Sequence, residues 1–413
     1  MKNRLFALII LLCCLSCKKP SHASFYFSGT VVPYAPTPVA KTTNKRVFAH
    51  LLPWFETPES NTLTPGGWGY HWTMKNENPN VIVNGQHQIA SWYYPSIGPY
   101  ASGDTTVIDY QLLLMKLSGI DGVFIDWPGI GTDAGQGEDL PMAKHNTDVI
   151  VSRLARVGLK YAIVYEDNDL LDITNKVGQA QNDMNYLQST YFNDVDYEQI
   201  SGTPLLLDFG PQAVADTASW SSIFSVLSPK PAFLTLSGHS NLAGVNAKGE
   251  FVWVYNNALV SLSNFYSNNY TGIKMSAAFS GFNSYYAAGG GSGPGPLLSN
   301  TPSPTIAFFK QTLDSALNQT NNKYIQLVTW NDYGEGTIIE PTVQFGYGYL
   351  TTLQQELGVS STLSQSDLQA VAQLYQLRQM NANNPAAMAK LDQGFYFMAS
   401  LQMDSAKALL ASF

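Results

Sequence analysis

Cysteine is nearly missing from this chain of 413 residues: its three copies are Cys13, Cys14 and Cys17. Nothing after residue 17 can therefore form a disulfide, a thiolate zinc site or a nucleophilic thiol. Charge is scarce too, at 13% of residues against the ~25% usual in globular chains. Lys and Arg number 22 against 30 Asp and Glu, for a net charge of −8. They form no run beyond the N-terminal region, which argues against a nucleic-acid partner. His50, His71, His87, His145 and His239 are scattered without metal-ligand spacing. The chain has no Gly-x-Ser-x-Gly elbow and no phosphate-binding loop. Neither a metal nor a cofactor is expected.

What fills the gap is aromatic and neutral polar. Tyr, Phe and Trp make up 12% of residues and apolar residues 45%, so a large core can form. Polarity comes from Asn, Ser, Thr, Gln and Gly. This balance suits a neutral polar ligand such as a sugar, and equally a large aromatic core.

The first residues read as an export and anchoring signal. Lys2 and Arg4 precede an apolar run over 5–15 that is too short to span a bilayer. A small residue, Ser16, then stands before Cys17. The pattern resembles a bacterial lipoprotein signal over 1–17, with Cys17 as the lipidated residue and the cell envelope as the location. Membrane contact would be through the lipid alone. Residues 18–44, rich in Ser, Thr, Pro and Ala, read as a tether.

From there, short apolar runs alternate with amphipathic segments. Eight strands are expected, over 47–53, 122–126, 161–166, 204–208, 232–236, 251–255, 272–278 and 324–330. Runs such as Val123-Phe124-Ile125 and Leu205-Leu206-Leu207 are what strands buried on both faces look like. Asp104 and Gly119 bracket one helix, Gly158 ends a second, and Ser303-Pro304 opens a third, with Ile306, Phe309 and Leu313 inward. This order predicts an α/β fold, a (β/α)8 barrel over 45–360, with long loops on its catalytic face. An open doubly wound sheet is the alternative; no Gly-rich fingerprint follows the first strand to support it. Residues 361–413 read as a closing helix and a helical extension.

Acidic residues cluster just past the expected strand ends: Asp126, Glu166, Asp167, Asp208, and the pair Asp332 and Glu335. In a barrel these ends converge on one mouth. Glycoside hydrolysis needs one protonated and one ionised carboxyl. Asp332 and Glu335, three apart in a Gly-punctuated turn, are the candidate catalytic pair. Glu166 and Asp208 could also be helix caps or ion-pair partners, and Asp121 reads as a turn residue. Aromatic faces stack on sugar rings, so Trp68, His71, Trp72, Trp92, Tyr93 and Trp127 are candidate cleft residues, with Asn331 and Tyr333 beside the acids. The Gly/Pro run over 289–296 reads as a flexible lid or spacer.

Two stretches carry a family resemblance. One is Trp92-Tyr93-Tyr94-Pro95-Ser96-Ile97-Gly98-Pro99-Tyr100 with Gly119-Ile120-Asp121-Gly122-Val123 and Asp126-Trp127. The other is Val328-Thr329-Trp330-Asn331-Asp332-Tyr333-Gly334-Glu335-Gly336. Both resemble glycoside hydrolase families 71 and 99. Asn331 to Glu335 is closest to the α-1,3-glucanases of family 71, whereas Thr337 to Pro341 continues as in the endo-α-mannosidases of family 99. The resemblance implies Glu335 as general acid/base and Asp332 as its partner, acting on an oligo- or polysaccharide. An α-1,3-glucan is the first expectation and an α-mannan the alternative. A non-catalytic surface glycan-binding protein on the same barrel is the competing class. An aldolase or isomerase would need a strand-end Lys or a phosphate site, and neither is seen.

Overall fold

The computed structural model describes residues 27, 29–131, 140–291, 293, 295–359 and 363–413. Cys17, the signal segment and the start of the expected tether lie outside them.

Eight parallel strands form the barrel: β1 Arg46–Leu51, β2 Gly122–Trp127, β3 Lys160–Tyr165, β4 Thr203–Asp208, β5 Ala232–Leu236, β6 Ala247–Phe251, β7 Ile273–Phe279 and β8 Tyr324–Val328. Each pairs with the next in sequence, and β1 pairs with both β2 and β8, so the sheet closes. Closure removes every edge. β2, β5 and β8 are buried along their whole length, β1, β3 and β4 beyond their first residue, and β6 and β7 beyond their first two. Helices return the chain outside the barrel: α1 Thr105–Leu117, α2 Leu140–Val157, α3 Lys176–Thr190, α4 Thr217–Ile223, α5 Ala258–Ser267, α6 Ile306–Leu317 and α7 Gly348–Glu356. A single helical turn serves between β5 and β6. This is the (β/α)8 barrel. Among the described residues, no helix is long and apolar enough to cross a membrane.

The helix signals behave largely as their chemistry requires. The Asp104 carboxylate accepts from the Thr106 and Val107 amides and starts α1. Thr305, not Ser303, caps α6, by accepting from the Phe308 amide. That shift leaves Ile306 in the first turn and 37% exposed, while Phe309 and Leu313 are fully buried.

Two boundaries differ from expectation. The sixth strand, expected over 251–255, is Ala247–Phe251. Gly249, Glu250 and Phe251 pair in register with Ile273, Lys274 and Met275 of β7, and the apolar run after Phe251 leaves the sheet. Hydrophobicity reports burial, not pairing: Val252 and Val254 are buried in a cluster with Leu262 and Phe265 of α5 and Ala277 and Phe279 of β7. Second, 29–44 is not a free tether. Lys116 donates to the Thr37 carbonyl at 2.6 Å, Thr37 bonds to Ala399, and Tyr34 stacks on Phe397.

The C-terminal helices α8 Gln365–Met380, α9 Pro385–Ala399 and α10 Met403–Leu410 cover the flank of α1 and α2. Buried Asp109 of α1 accepts from Arg378 of α8 at 2.7 Å and from Arg153 of α2 at 2.6 Å. A buried carboxylate is tolerable only when so paired, so this cluster locks the extension to the barrel.

Candidate active site

The chain leaves β8 into a tight loop. Thr329 N donates to Thr337 O at 2.7 Å and Glu340 N to Trp330 O at 3.0 Å, so residues 329–340 fold back on themselves. Asn331 bonds the Leu52 peptide on both sides, accepting at 2.9 Å and donating at 3.0 Å. That stitches the loop to the end of β1. Asp332 Oδ1 accepts from the Glu335 amide at 2.8 Å, the local turn bond that an Asp three residues upstream can make. Gly336 sits at φ +70°, where a Cβ would lie 2.9 Å from the Tyr93 ring. Beneath, the buried Glu340 carboxylate accepts from Tyr100 at 2.9 Å, Tyr333 at 2.8 Å, Gln111 at 2.8 Å and Trp330 at 3.3 Å. The two acids thus stand on a loop anchored from below and behind.

Their environments push both acids upward. Burial raises Asp332 to about 6, while the Glu335 and Gly334 amides pull it down. Burial raises Glu335 to about 8, helped by the negative charge of Asp332 and more weakly by that of Asp126; the Trp253 indole opposes this. Glu335 therefore keeps its proton in a range where Asp332 has lost its own. Two carboxyls separated in this way can act as acid and as ionised partner.

Trp253 belongs to a chain of contacts through the barrel interior. Its Nε1 donates to Glu335 Oε2 at 3.3 Å. The edge of His50 meets its ring, with centroids 5.0 Å apart and planes at 88°. His50 Nε2 bonds Gln326 Oε1 at 2.8 Å, and Gln326 Nε2 donates to Val252 O at 2.5 Å. Because the Gln326 amide nitrogen is committed to a carbonyl, its oxygen must accept, which puts the imidazole proton on Nε2. Burial holds His50 down at about 4, so the imidazole is neutral.

Beside the acid turn lies a cavity of about 180 Å³ walled by Trp54, His71, Asp126, Glu166 and Tyr286 among others. That is below the ~300–1,000 Å³ of a drug-sized pocket, a space for one small ring. Trp54 and His71 stack face to face at 4.0 Å, and burial drops His71 to about 3, leaving it neutral. Burial, then the adjacent Asp126 charge, holds Glu166 well above the usual range, and the two carboxyls share a hydrogen bond. No Lys or Arg is among the residues that line the cavity. Among the described residues, no group of His, Cys, Asp and Glu is placed to hold a metal ion.

Of the residues singled out in the sequence, Asp126, Glu166 and His71 line this cavity, and Trp92 is 48% exposed, its indole donating to Ser284 O at 3.1 Å. Tyr93 packs behind the turn, its hydroxyl accepting from Asn283 at 3.3 Å. Four others are withdrawn from any sugar. Trp72 is fully buried, and its indole donates to Tyr100 O at 2.8 Å. Trp127 is buried between β2 and α3, near Tyr186. Asn331 and Tyr333 are spent on the loop anchors described above. An aromatic next to an active-site acid in sequence points to the opposite side of a strand, so proximity in the chain was a poor guide. Asp208 is fully buried at the end of β4 and raised well above the usual range, chiefly by burial and then by the Asp167 charge. Neither of its oxygens has a well-aligned partner, and it does not line the cavity. Trp68 bonds Asn80 on the outer loop.

Sequence reasoning missed Trp54, Trp253, His50, Gln326 and Tyr286. All lie on the barrel interior or on loops that only closure brings to the mouth. The one usable signal was positional: Trp54 directly follows the first expected strand, whereas Trp253 fell inside the expected sixth one and follows a strand end only in the structure.

No protein-family model matches the chain. The glycoprotein endo-α-1,2-mannosidase of Xenopus laevis is 33% identical over 73 residues, a match spanning 17% of this chain and 16% of that protein. Among solved structures, the GH99 endo-α-mannosidase from Bacteroides thetaiotaomicron superposes with a TM-score of 0.57 at 17% identity, covering 76% of this chain and 96% of its own. A glycoside hydrolase-like protein does so with a TM-score of 0.55 at 16% identity, covering 79% and 98%. At these identities the likeness to the solved structures is one of fold, and this chain has the barrel they share.

Proposed function

We propose that this chain is a glycoside hydrolase of the endo-α-mannosidase type, with Glu335 as general acid/base and Asp332 as its ionised partner. The observation that carries it is the placement of two neighbouring carboxyls on an anchored loop beside a small acid-lined cavity, where burial raises both and the Asp332 charge raises Glu335 further. The endo-α-mannosidase names of the sequence and structural relatives favour an α-mannoside over the α-1,3-glucan that Asn331 to Glu335 suggested.

The test is to incubate purified protein with yeast α-mannan and with α-1,3-glucan, following new reducing ends and, by NMR, the first-formed anomer. Release of oligosaccharides from mannan alone supports the reading. Cleavage of glucan alone returns it to the other family, and cleavage of neither by an intact fold leaves a glycan binder.

We also propose attachment to the cell envelope through lipid on Cys17. Cys17→Ser should release the protein from the membrane fraction.

A further inference from the structure

The glycine run over 289–293 finds no use in the acid chemistry, and its place in the fold suggests one. The chain leaving β7 lies along the acid loop: Asn283 N donates to Glu335 O at 2.9 Å and Tyr285 N to Gly334 O at 2.8 Å. Neighbouring side chains of an extended segment diverge. Tyr285 turns outward, donating to Glu77 and meeting Trp92 at 4.6 Å. Tyr286 goes the other way. It is half-buried and lines the cavity shared by Trp54, His71, Asp126 and Glu166.

Its ring is held by glycines. A Cβ on Gly293 would lie 2.7 Å from Tyr286 Cβ and Cγ, and one on Gly291 3.4 Å from the Tyr286 carbonyl and 3.2 Å from the Tyr70 hydroxyl. The Gly291 amide donates to that same Tyr286 carbonyl at 2.8 Å, and Gly289 bonds Lys75. Gly291 and Gly293 therefore lie against Tyr286 at distances that bulkier residues would prevent. At the far end, a Cβ on Gly334 would sit 3.2 Å from the Tyr286 hydroxyl and 3.3 Å from Asp332 Oδ1. The phenol thus reaches from the cavity to the catalytic loop, over a position where the chain carries no side chain.

We propose that Tyr286 is a specificity-determining residue, its hydroxyl hydrogen-bonding a hydroxyl of the sugar seated in the cavity, with the glycine run as the cradle that aims it. The proposal rests on the hydrolase reading above. A phenol both donates and accepts, as a sugar hydroxyl does. The ring would also close one wall of a subsite otherwise made of the Trp54–His71 stack and two carboxyls.

The experiment compares wild type with Tyr286→Phe on α-mannan and on a set of monodeoxy α-mannobiosides. Losing one neutral hydrogen bond should raise KM roughly three- to tenfold, with kcat within about twofold and the melting midpoint unchanged. One deoxy analogue should erase the difference between the two proteins, which a purely structural tyrosine would not do. Gly334→Ala, whose methyl crowds the hydroxyl, should reproduce the KM effect. Wild type that cleaves mannan while Tyr286→Phe keeps its KM on every substrate overturns the role of Tyr286 alone. Wild type that turns over no α-mannoside overturns the functional reading beneath it.

Discussion

The indole N–H of Trp253 donates to Glu335 Oε2 at 3.3 Å, and the edge of His50 braces the indole from behind. The bond stabilises the charged form of Glu335 and so works against the burial that keeps it protonated. Trp253→Phe should let Glu335 rise further. The alkaline limb of the kcat/KM profile, where the acid is lost, should then move to higher pH by up to about one unit, with the acidic limb in place. A pH–rate series on both proteins checks this; an alkaline limb that does not move breaks the link between Trp253 and the acid.

Glu335→Gln separates chemistry from folding. Activity should fall by about 10²–10⁴. Stability should change with a definite sign. Because Glu335 is raised from 4.5 to about 8 in the folded chain, between those values the folded state holds a proton that the unfolded state has released. Wild-type stability therefore falls as pH rises through that window, at most ~1.4 kcal/mol per pH unit for one such group. The glutamine variant lacks this contribution. Urea unfolding at pH 5 and pH 8 should show Glu335→Gln gaining relative to wild type at pH 8, and a gain at pH 5 instead would contradict the assignment.

Glu340 is buried and accepts four side-chain hydrogen bonds. Glu340→Ala would strand Tyr100, Tyr333, Gln111 and Trp330 as unpaired donors. At ~1–3 kcal/mol for each buried group left unsatisfied, the loss should reach about 3 kcal/mol or more. Thermal melting would read it, and kcat should drop as well because the acid loop loses its floor.

The tryptophans divide into two kinds. Trp72→Ala and Trp127→Ala remove fully buried rings and should cost about 3–5 kcal/mol of stability. Trp92→Ala, which removes an exposed ring, should leave the melting midpoint nearly unchanged and weaken glycan affinity. Melting curves beside isothermal titration with Glu335→Gln protein would distinguish them; a stable Trp72→Ala variant with lost affinity would return Trp72 to the cleft.

Barrel strands such as Val123-Phe124-Ile125 were legible because strands buried on both faces carry unbroken apolar runs. The sixth strand was not, since Gly249-Glu250-Phe251 pairs with β7 through its backbone while Val252 and Val254 after it are buried outside the sheet. The acids were legible through their position after strand ends, where a barrel gathers its loops. Their surroundings were not. Asn331 and Tyr333 sit next to the acids in sequence yet serve as anchors, and Tyr286, some fifty residues away, reaches Gly334 between the two acids.

Composition and periodicity favoured a parallel (β/α)8 barrel over an open doubly wound sheet, closed off thiol chemistry beyond residue 17, and placed carboxyls just past the strand ends. Those are properties of residue type and local order, which a chain carries with it unfolded. The tertiary structure decided which carboxyl is pushed up further, which tryptophans are buried, and which side chain the glycine run lies against. These depend on burial, on a neighbour's charge a few ångströms away, and on side chains brought together from different strands, quantities that arise only when the barrel closes.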